Sequence, residues 1–175
     1  MKLASALSAG LITLAFFFAV LRLIYPVKYR DPLFPLARQA GLDPYLVLAL
    51  VRHESRFDPR ALSPSGARGL MQLMPATADW VARKMGYQAL QPEDLLHPGA
   101  NLALGTWYLA YLRDRFGSLP PALAAYNAGE ERVRTWLKEG RWDGSLARIH
   151  SLPYPETRRF VRSVLRDWQV YRLLY

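Results

Sequence analysis

The sequence predicts an all-α protein made of several short helices around one central, buried helix. No stretch shows the sustained alternation of apolar and polar residues that is typical of strands. Helix signals recur instead, with proline where helices begin and glycine where they end. Hydrophobic residues make up 51% of the 175 residues, which is enough to form one core in a single domain.

The first element is an apolar segment that predicts a transmembrane helix. Nineteen uncharged residues lie between Lys2 and Arg22, and as a helix they span about 28 Å, close to the hydrocarbon thickness of a bilayer. We therefore expect an uncleaved anchor over residues 1–25, with residues 3–25 in the membrane. A cleavable signal peptide and a buried core helix are the alternatives, and no small-residue cleavage site follows the apolar run.

A short linker, residues 26–32, separates this segment from a single domain predicted over residues 33–175. The linker sequence PVKYRDP has a proline at each end. Inside the domain, Asp43-Pro44 caps the central helix, which is almost wholly apolar and runs to about Ser55. A loop follows over residues 56–69. The other helices are predicted over residues 33–40, 75–85, 99–116, 121–128, 130–138 and 155–175.

Composition and charge narrow the classes of function. The chain has no cysteine, which excludes disulfides, thiolate metal sites and cysteine nucleophiles. The net charge is +9, yet the basic residues are spread along the chain without a polybasic run. The positive charge predicts an anionic partner, which could be a nucleic acid, a membrane surface or an acidic polymer. Because no polybasic run is present, we expect no nucleic acid as a functional partner.

Glu54 is the strongest catalytic candidate. It shares a helix face with Val47, Leu50 and Val51, so the apolar stripe of the central helix ends in a carboxylic acid. Apolar surroundings and the negative end of the helix dipole both disfavour the anion, which raises the pKa and suits a general acid. The alternative is a glutamate that lies in solvent or pairs with a neighbour such as Arg56.

Other catalytic chemistries have little support in the sequence. His53-Glu54 begins like the HExxH zinc motif, but the second histidine is replaced by Phe57. The three histidines, His53, His97 and His150, lack the spacing of metal ligands, and no GxSxG motif is present. We therefore expect no metal and no cofactor.

Five sequence blocks carry a family resemblance. They are ALVRHESRFDP around Glu54, SPSGARGLMQLMPATA over residues 63–78, HPGANLALGTWYL over residues 97–109, ALAAYNAG over residues 122–129 and PETRRFV over residues 155–161. In this order they resemble the catalytic domain of soluble-type lytic transglycosylases, relatives of goose-type lysozyme. The resemblance covers residues 33–175 and implies a lysozyme-like fold.

The resemblance also implies roles for individual residues. Glu54 matches the single catalytic acid and base of the family. Six further residues match positions that contact the substrate or face the catalytic glutamate: Ser63, Gln72, Met74, Tyr126, Asn127 and Glu156. The family's tyrosine at position 126 hydrogen-bonds the catalytic carboxyl. One position departs from the pattern, because the family often has tyrosine after ETRR and Phe160 lacks that hydroxyl.

The function implied is that of a peptidoglycan lytic transglycosylase. Such an enzyme cleaves the β-1,4 bond from N-acetylmuramic acid to N-acetylglucosamine and forms a 1,6-anhydromuramyl end without consuming water. The alternative is a catalytically weak peptidoglycan-binding module of a membrane-anchored wall complex. The expected partners are peptidoglycan glycan strands and, through residues 3–25, the cell membrane.

The expected location follows from the substrate. The catalytic domain would face the cell wall from a single-pass anchor, or be exported after signal cleavage. Basic residues lie at both ends of the apolar segment, and their distribution slightly opposes that orientation.

Overall fold

The structure, a computed structural model, describes residues 2–87 and 91–175, with side chains from residue 10 onward. Over these residues the chain forms eight α-helices and two short 3-10 helices, Pro92–Leu96 and Ile149–Ser151, which confirms the all-α prediction. The α-helices are α1 (Lys2–Ile24), α2 (Arg30–Gln39), α3 (Pro44–Ser55), α4 (Pro75–Lys84), α5 (Pro98–Phe116), α6 (Leu119–Ala128), α7 (Glu130–Lys138) and α8 (Pro155–Leu174).

Helix α3 lies at the centre of the core, as the sequence predicts. Asp43 caps its first turn by accepting a hydrogen bond from the Tyr45 amide at 2.9 Å, and Pro44 takes the first helical position. Residues 46–51 are all buried, and the helix packs against α8 and α2. It ends at Arg56, where the backbone turns left-handed with a φ of 53°.

Most helix boundaries lie within two residues of the predicted ones. Proline marks the first turn of α4, α5, α6 and α8, where a missing amide hydrogen costs nothing. Helix α2 differs, because it begins at Arg30 and takes up the second half of the segment predicted as a linker. Asp31 lies in its first turn, where negative charge is favourable.

Two apolar clusters meet near the centre of the molecule. The larger contains α3 and parts of α2, α5, α6 and α8. The smaller contains Leu73, Leu95, Leu104 and the buried face of α4. Tyr108 and Tyr126 pack against both clusters, so they lie at the boundary between them.

Helix α1 covers the segment predicted as a transmembrane anchor, but that prediction is not supported. In the part of the chain that the structure describes, no helix is both long enough and apolar enough to cross a membrane. Residues 3–9 of the predicted span lie outside the described side chains.

The alternative of a buried core helix does not fit the described side chains of α1. Leu11, Ile12 and Phe16 are each more than two-thirds exposed. A buried helix would pack these side chains against the rest of the protein.

The end of α1 is held against α8 by a set of hydrogen bonds that we call the tyrosine clasp. The Tyr25 hydroxyl donates to the buried Asp167 carboxylate at 3.2 Å. The Tyr171 hydroxyl donates to the Pro26 carbonyl, and the Tyr175 hydroxyl donates to the Tyr25 carbonyl, both at 3.0 Å. The segment after α1 is therefore fixed to the domain rather than extended away from it.

Candidate active site

Glu54 lies in the last turn of α3, at the end of its buried face. Within the described part of the chain its carboxyl has no hydrogen-bond or ion-pair partner, and the alternative pairing with Arg56 does not form. Burial raises the pKa of Glu54 from 4.5 to about 8. The carboxyl is therefore protonated near neutral pH, as the apolar stripe of the sequence predicts.

Tyr126, near the end of α6, is the nearest functional partner of Glu54. Burial, and secondly the negative charge on Glu54, hold the pKa of Tyr126 well above its ordinary value of 10. The hydroxyl donates to the Met71 carbonyl at 2.8 Å. Its one hydrogen is thus committed to the backbone, and the hydrogen bond to the carboxyl that the family resemblance implied is not donated by Tyr126.

The loop between α3 and α4 is tied to the end of α3. The Ser55 hydroxyl donates to the Leu70 carbonyl at 2.8 Å and to the Val51 carbonyl at 3.2 Å. This shared hydrogen places the loop directly beside the turn that carries Glu54. Two isolated bridges, Leu62 with Arg68 and Arg68 with Leu73, give the loop its hairpin-like shape.

The side chains of Ser63 and Gln72 form hydrogen bonds with the backbone of the loop itself. The Ser63 hydroxyl accepts a hydrogen bond from the Ala67 amide at 2.9 Å. The Gln72 side chain donates to the Ala61 and Gly69 carbonyls at 3.1 and 2.9 Å. Gln72 also has a φ of 48°, a backbone conformation that non-glycine residues rarely adopt and that is often found at functional sites.

Asn101 is a structural residue of the site that sequence reasoning missed. It is fully buried in α5, where its amide oxygen accepts from the Met71 amide at 2.7 Å. Its amide nitrogen donates to the Arg68 and Leu95 carbonyls, both at 2.9 Å. Asn101 thus holds the backbone that carries Met71 and Gln72. The available signal was a lone amide in the apolar block HPGANLALGTWYL.

Two glycines let the loop approach α5. A Cβ on Gly69 would lie closer than 3.0 Å to the Leu95 carbonyl and to the Asn101 side chain, and Gly69 has a φ of 77°. A Cβ on Gly105 would lie closer than 3.0 Å to the Met71 side chain. Gly69 and Gly105 therefore allow the loop to pack closely on α5.

Three predicted site residues remain, namely Met74, Asn127 and Glu156. Met74 precedes α4 and exposes 42% of its surface. The Asn127 amide oxygen accepts from the Thr157 hydroxyl at 2.8 Å, which joins the end of α6 to the start of α8. Glu156 lies one residue before Thr157 and is exposed in the first turn of α8.

Phe160 and His53 form a packed pair rather than a polar contact. Their rings meet edge to face at 5.0 Å between centroids, and Phe160 is buried. Burial lowers the pKa of His53, so this neighbour of Glu54 is neutral at physiological pH. Phe160 therefore belongs to the core.

The site as described is a buried acid beside a rigid loop. Glu54, Tyr126 and the Met71–Gln72 backbone come together, while Glu156 makes no described contact with them. Among the described side chains, no group of three or more His, Asp or Glu residues is placed to hold a metal ion. The Glu54 carboxyl is a group at this site that can donate a proton.

Comparison with known proteins identifies relatives of this arrangement. The family model of the Transglycosylase SLT domain matches residues 32–147. The soluble lytic murein transglycosylases of Salmonella typhimurium and Escherichia coli K12 are 40% and 39% identical to the chain over 152 and 154 residues, or 85% of it. Membrane-bound lytic murein transglycosylase C of Actinobacillus pleuropneumoniae is 37% identical over 67% of the chain and 34% of that protein. The chain spans only 23% of the length of the two soluble relatives.

Solved structures share the fold. The 70 kDa soluble lytic transglycosylase of Escherichia coli superposes with a TM-score of 0.81 at 35% identity, over 87% of this chain and 25% of that one. A lytic transglycosylase of Pseudomonas aeruginosa, solved as an inactive glutamate-to-glutamine mutant, superposes with a TM-score of 0.78 at 37% identity over the same shares. The resemblance predicted from the five blocks is confirmed, and the chain belongs to the Transglycosylase SLT domain family.

Proposed function

We propose that the domain is a lytic transglycosylase that cleaves peptidoglycan between N-acetylmuramic acid and N-acetylglucosamine. The observation that carries this proposal is the place of Glu54 at the end of the buried face of α3, where its carboxyl has no described partner and burial raises its pKa to about 8. A carboxylic acid that keeps its proton at neutral pH can donate it to a glycosidic oxygen. The relatives named as lytic murein transglycosylases support the choice of substrate.

The reaction begins with proton transfer from Glu54 to the bridging oxygen. The bond from C1 of N-acetylmuramic acid to that oxygen breaks, and N-acetylglucosamine leaves with the proton on its new hydroxyl. Positive charge develops at C1, where the substrate's own acetamido group can stabilise it. Glu54, now a carboxylate, takes the proton of the C6 hydroxyl while O6 bonds to C1. The product is a 1,6-anhydromuramyl end, and Glu54 is protonated again.

One carboxyl group is enough for this sequence of steps. Glycosidases that use water or a covalent intermediate need a second carboxylate about 5–10 Å away. Asp58, the acid nearest to Glu54 in sequence, is exposed in a turn and accepts a hydrogen bond from the Arg60 amide at 2.9 Å. It is thus engaged as a turn residue, which favours intramolecular attack by O6.

Tyr126 supports the acid form of Glu54. Because its hydroxyl hydrogen is directed to the Met71 carbonyl, its oxygen presents lone pairs to the surroundings. A protonated Glu54 can donate to these lone pairs, whereas a Glu54 carboxylate would meet a second electron-rich oxygen. From the family resemblance we assign substrate contacts to five further residues: Ser63, Gln72, Met74, Asn127 and Glu156.

The location of the reaction follows from its substrate. Peptidoglycan lies outside the cytoplasmic membrane, so the proposal places the domain in the cell envelope with its cleft open to the wall. Relatives named as membrane-bound lytic murein transglycosylase C support this placement.

Product analysis of a Glu54→Gln variant tests the proposal. The substitution keeps the shape of the side chain and removes the titrating proton. Digested peptidoglycan is examined by mass spectrometry, with Glu139→Gln, an exposed glutamate on the far side of α7, as the matched control. We expect anhydro ends from the wild type and the control, and none from Glu54→Gln.

Other products would overturn the proposal. Full activity of Glu54→Gln would remove Glu54 from the chemistry. Reducing ends would indicate a hydrolase of the lysozyme type. Retained binding of peptidoglycan without any cleavage by the wild type would indicate a wall-binding module.

A further inference from the structure

One pocket of the domain has a lining that does not include Glu54. It has a volume of about 290 Å³ and opens beside the first turns of α4, between this helix and the start of α7. Ala76, Thr77, Trp80, Tyr108 and Glu130 line it. Nothing in the proposed reaction uses these side chains.

Tyr108 lies between the pocket and the catalytic region. The Tyr108 ring lies 5.5 Å from the Tyr126 ring, centroid to centroid, so one ring separates the pocket from the partner of Glu54. Met74, which borders the active site, directly precedes the helix that carries Thr77 and Trp80. The pocket therefore lies next to residues that neighbour Glu54 and its partner Tyr126 in the fold.

The wall of the pocket is an aromatic surface held in place by its neighbours. Trp80 contacts Tyr111, Trp107 and Tyr108 at 5.1, 6.0 and 6.3 Å between ring centroids. Each of these rings is inclined by at least 66° to the indole, so none of the three stacks flat on it. All four rings are only partly buried. The indole thus offers a rigid, flat apolar surface at the pocket.

The opposite side of the pocket is polar and equally fixed. Glu130 forms ion pairs with Arg115, at 3.2 Å, and with Arg134, and its side chain is only 18% exposed. The two guanidinium groups hold the carboxylate in one orientation at the pocket. The Thr77 hydroxyl adds a donor and acceptor on the α4 side.

We infer that this pocket is a distal subsite for an N-acetylated amino sugar of the glycan strand. The apolar face of the pyranose ring packs on Trp80, and its hydroxyl or acetamido N–H groups donate to Glu130, with Thr77 as a further partner. Flat apolar walls with a few fixed polar groups are the usual design of such sites. The inference rests on the proposed function of Glu54 and adds a preference for strands long enough to reach Trp80.

The test measures binding of N-acetylglucosamine oligomers to the Glu54→Gln protein, with six and with two sugar units. We expect Trp80→Ala to weaken binding of the hexamer about tenfold and to leave the dimer unchanged. Tyr87→Ala, which removes an exposed ring outside the pocket, is the matched control and should bind both oligomers as the parent does.

A second pair of variants protects the test against a Trp80→Ala protein that does not fold. Ala76 lies exposed at the rim, so Ala76→Arg fills the pocket without removing a core side chain. We expect Ala76→Arg to weaken hexamer binding and Ala147→Arg, at an exposed position elsewhere, to leave it unchanged. Hexamer binding that is the same in Ala76→Arg and Ala147→Arg would refute the subsite. Cleavage that survives Glu54→Gln would instead remove the proposed function, so the two failures are distinguishable.

Discussion

Arg52 and Asp167 form an ion pair with 2.6 Å between the guanidinium and the carboxylate, and Asp167 is 1% exposed. Arg52 lies on α3 two residues before Glu54, and Asp167 lies on α8. The guanidinium also sits 4.2 Å above the Tyr25 ring. One buried carboxylate therefore joins the catalytic helix, the last helix and the end of α1.

Removing the charge of Asp167 should destabilise the fold. In Asp167→Asn, Arg52 loses its counter-charge, and we expect the free energy of unfolding to fall by about 2 kcal/mol. This is less than for a fully buried pair, since Arg52 is 26% exposed. Urea unfolding measures the change. Asp114→Asn removes a carboxylate that is 68% exposed and should change stability by less than about 0.5 kcal/mol.

The raised pKa of Glu54 makes stability depend on pH. The folded protein holds the pKa at about 8, above the 4.5 of the unfolded chain, so the folded state binds the proton more tightly. The contribution is fully present below about pH 4.5 and is lost as the pH rises to 8. We expect Glu54→Gln to exceed the wild type in stability by about 3–4 kcal/mol more at pH 8 than at pH 5. Equal urea midpoints for the two proteins at both pH values would contradict this.

The same pKa sets an alkaline limit for activity. The acid step needs protonated Glu54, so kcat/KM should fall about tenfold per pH unit above pH 8. A pH–rate profile on labelled peptidoglycan gives the limit, with circular dichroism at each pH to confirm that the protein stays folded. A limit near pH 5 would mean that the acid is not Glu54 in this environment.

The Tyr126→Phe substitution removes the hydroxyl and keeps the ring, so it tests the contribution of the hydroxyl alone. The variant keeps the packing but loses the hydrogen bond to the Met71 carbonyl, at a cost in stability of about 1 kcal/mol. We expect kcat to fall about tenfold or more, KM to change little, and the alkaline limit to move to lower pH, because the oxygen that we propose as acceptor for the Glu54 proton is removed. Tyr45→Phe, on α3 away from Glu54, serves as control, and identical profiles for both variants would refute the role of the hydroxyl.

Two alanine substitutions on α5 should differ in their effect on the stability of the fold. Gly105→Ala places a Cβ against the Met71 side chain, and we expect a loss of about 2 kcal/mol despite the better helix propensity of alanine. Gly99→Ala meets no atom within 4 Å and should be neutral or slightly stabilising. Thermal unfolding compares the two proteins, and a Gly105→Ala variant as stable as Gly99→Ala would show that the loop can move aside.

Local signals in the sequence account for the helices and for Glu54. Pro44 and Pro155 mark helix starts that the structure places at the same residues. The burial of Glu54 follows from the apolar stripe that precedes it on α3. These features depend only on neighbours within a few turns of one helix, so a single sequence is enough to predict them.

Features that depend on residues far apart in sequence could not be predicted from the sequence. Asn101 is separated from Met71 by 30 residues, and nothing near it in sequence shows that its amide supports the loop. The hydrogen bond from Tyr126 to Met71 crosses 55 residues. The family pattern placed Tyr126 beside Glu54, but only the folded backbone shows where the hydroxyl hydrogen goes.

The tyrosine clasp has a mechanical consequence. A cleft carried on an extended tether sweeps a volume that grows with the length of the tether. Here the hydrogen bonds from Tyr171 and Tyr175 fix the residues that follow α1, so α1 and the domain move as one rigid body. Under the proposed function, the orientation of α1 therefore sets the angle at which a glycan strand would reach Glu54.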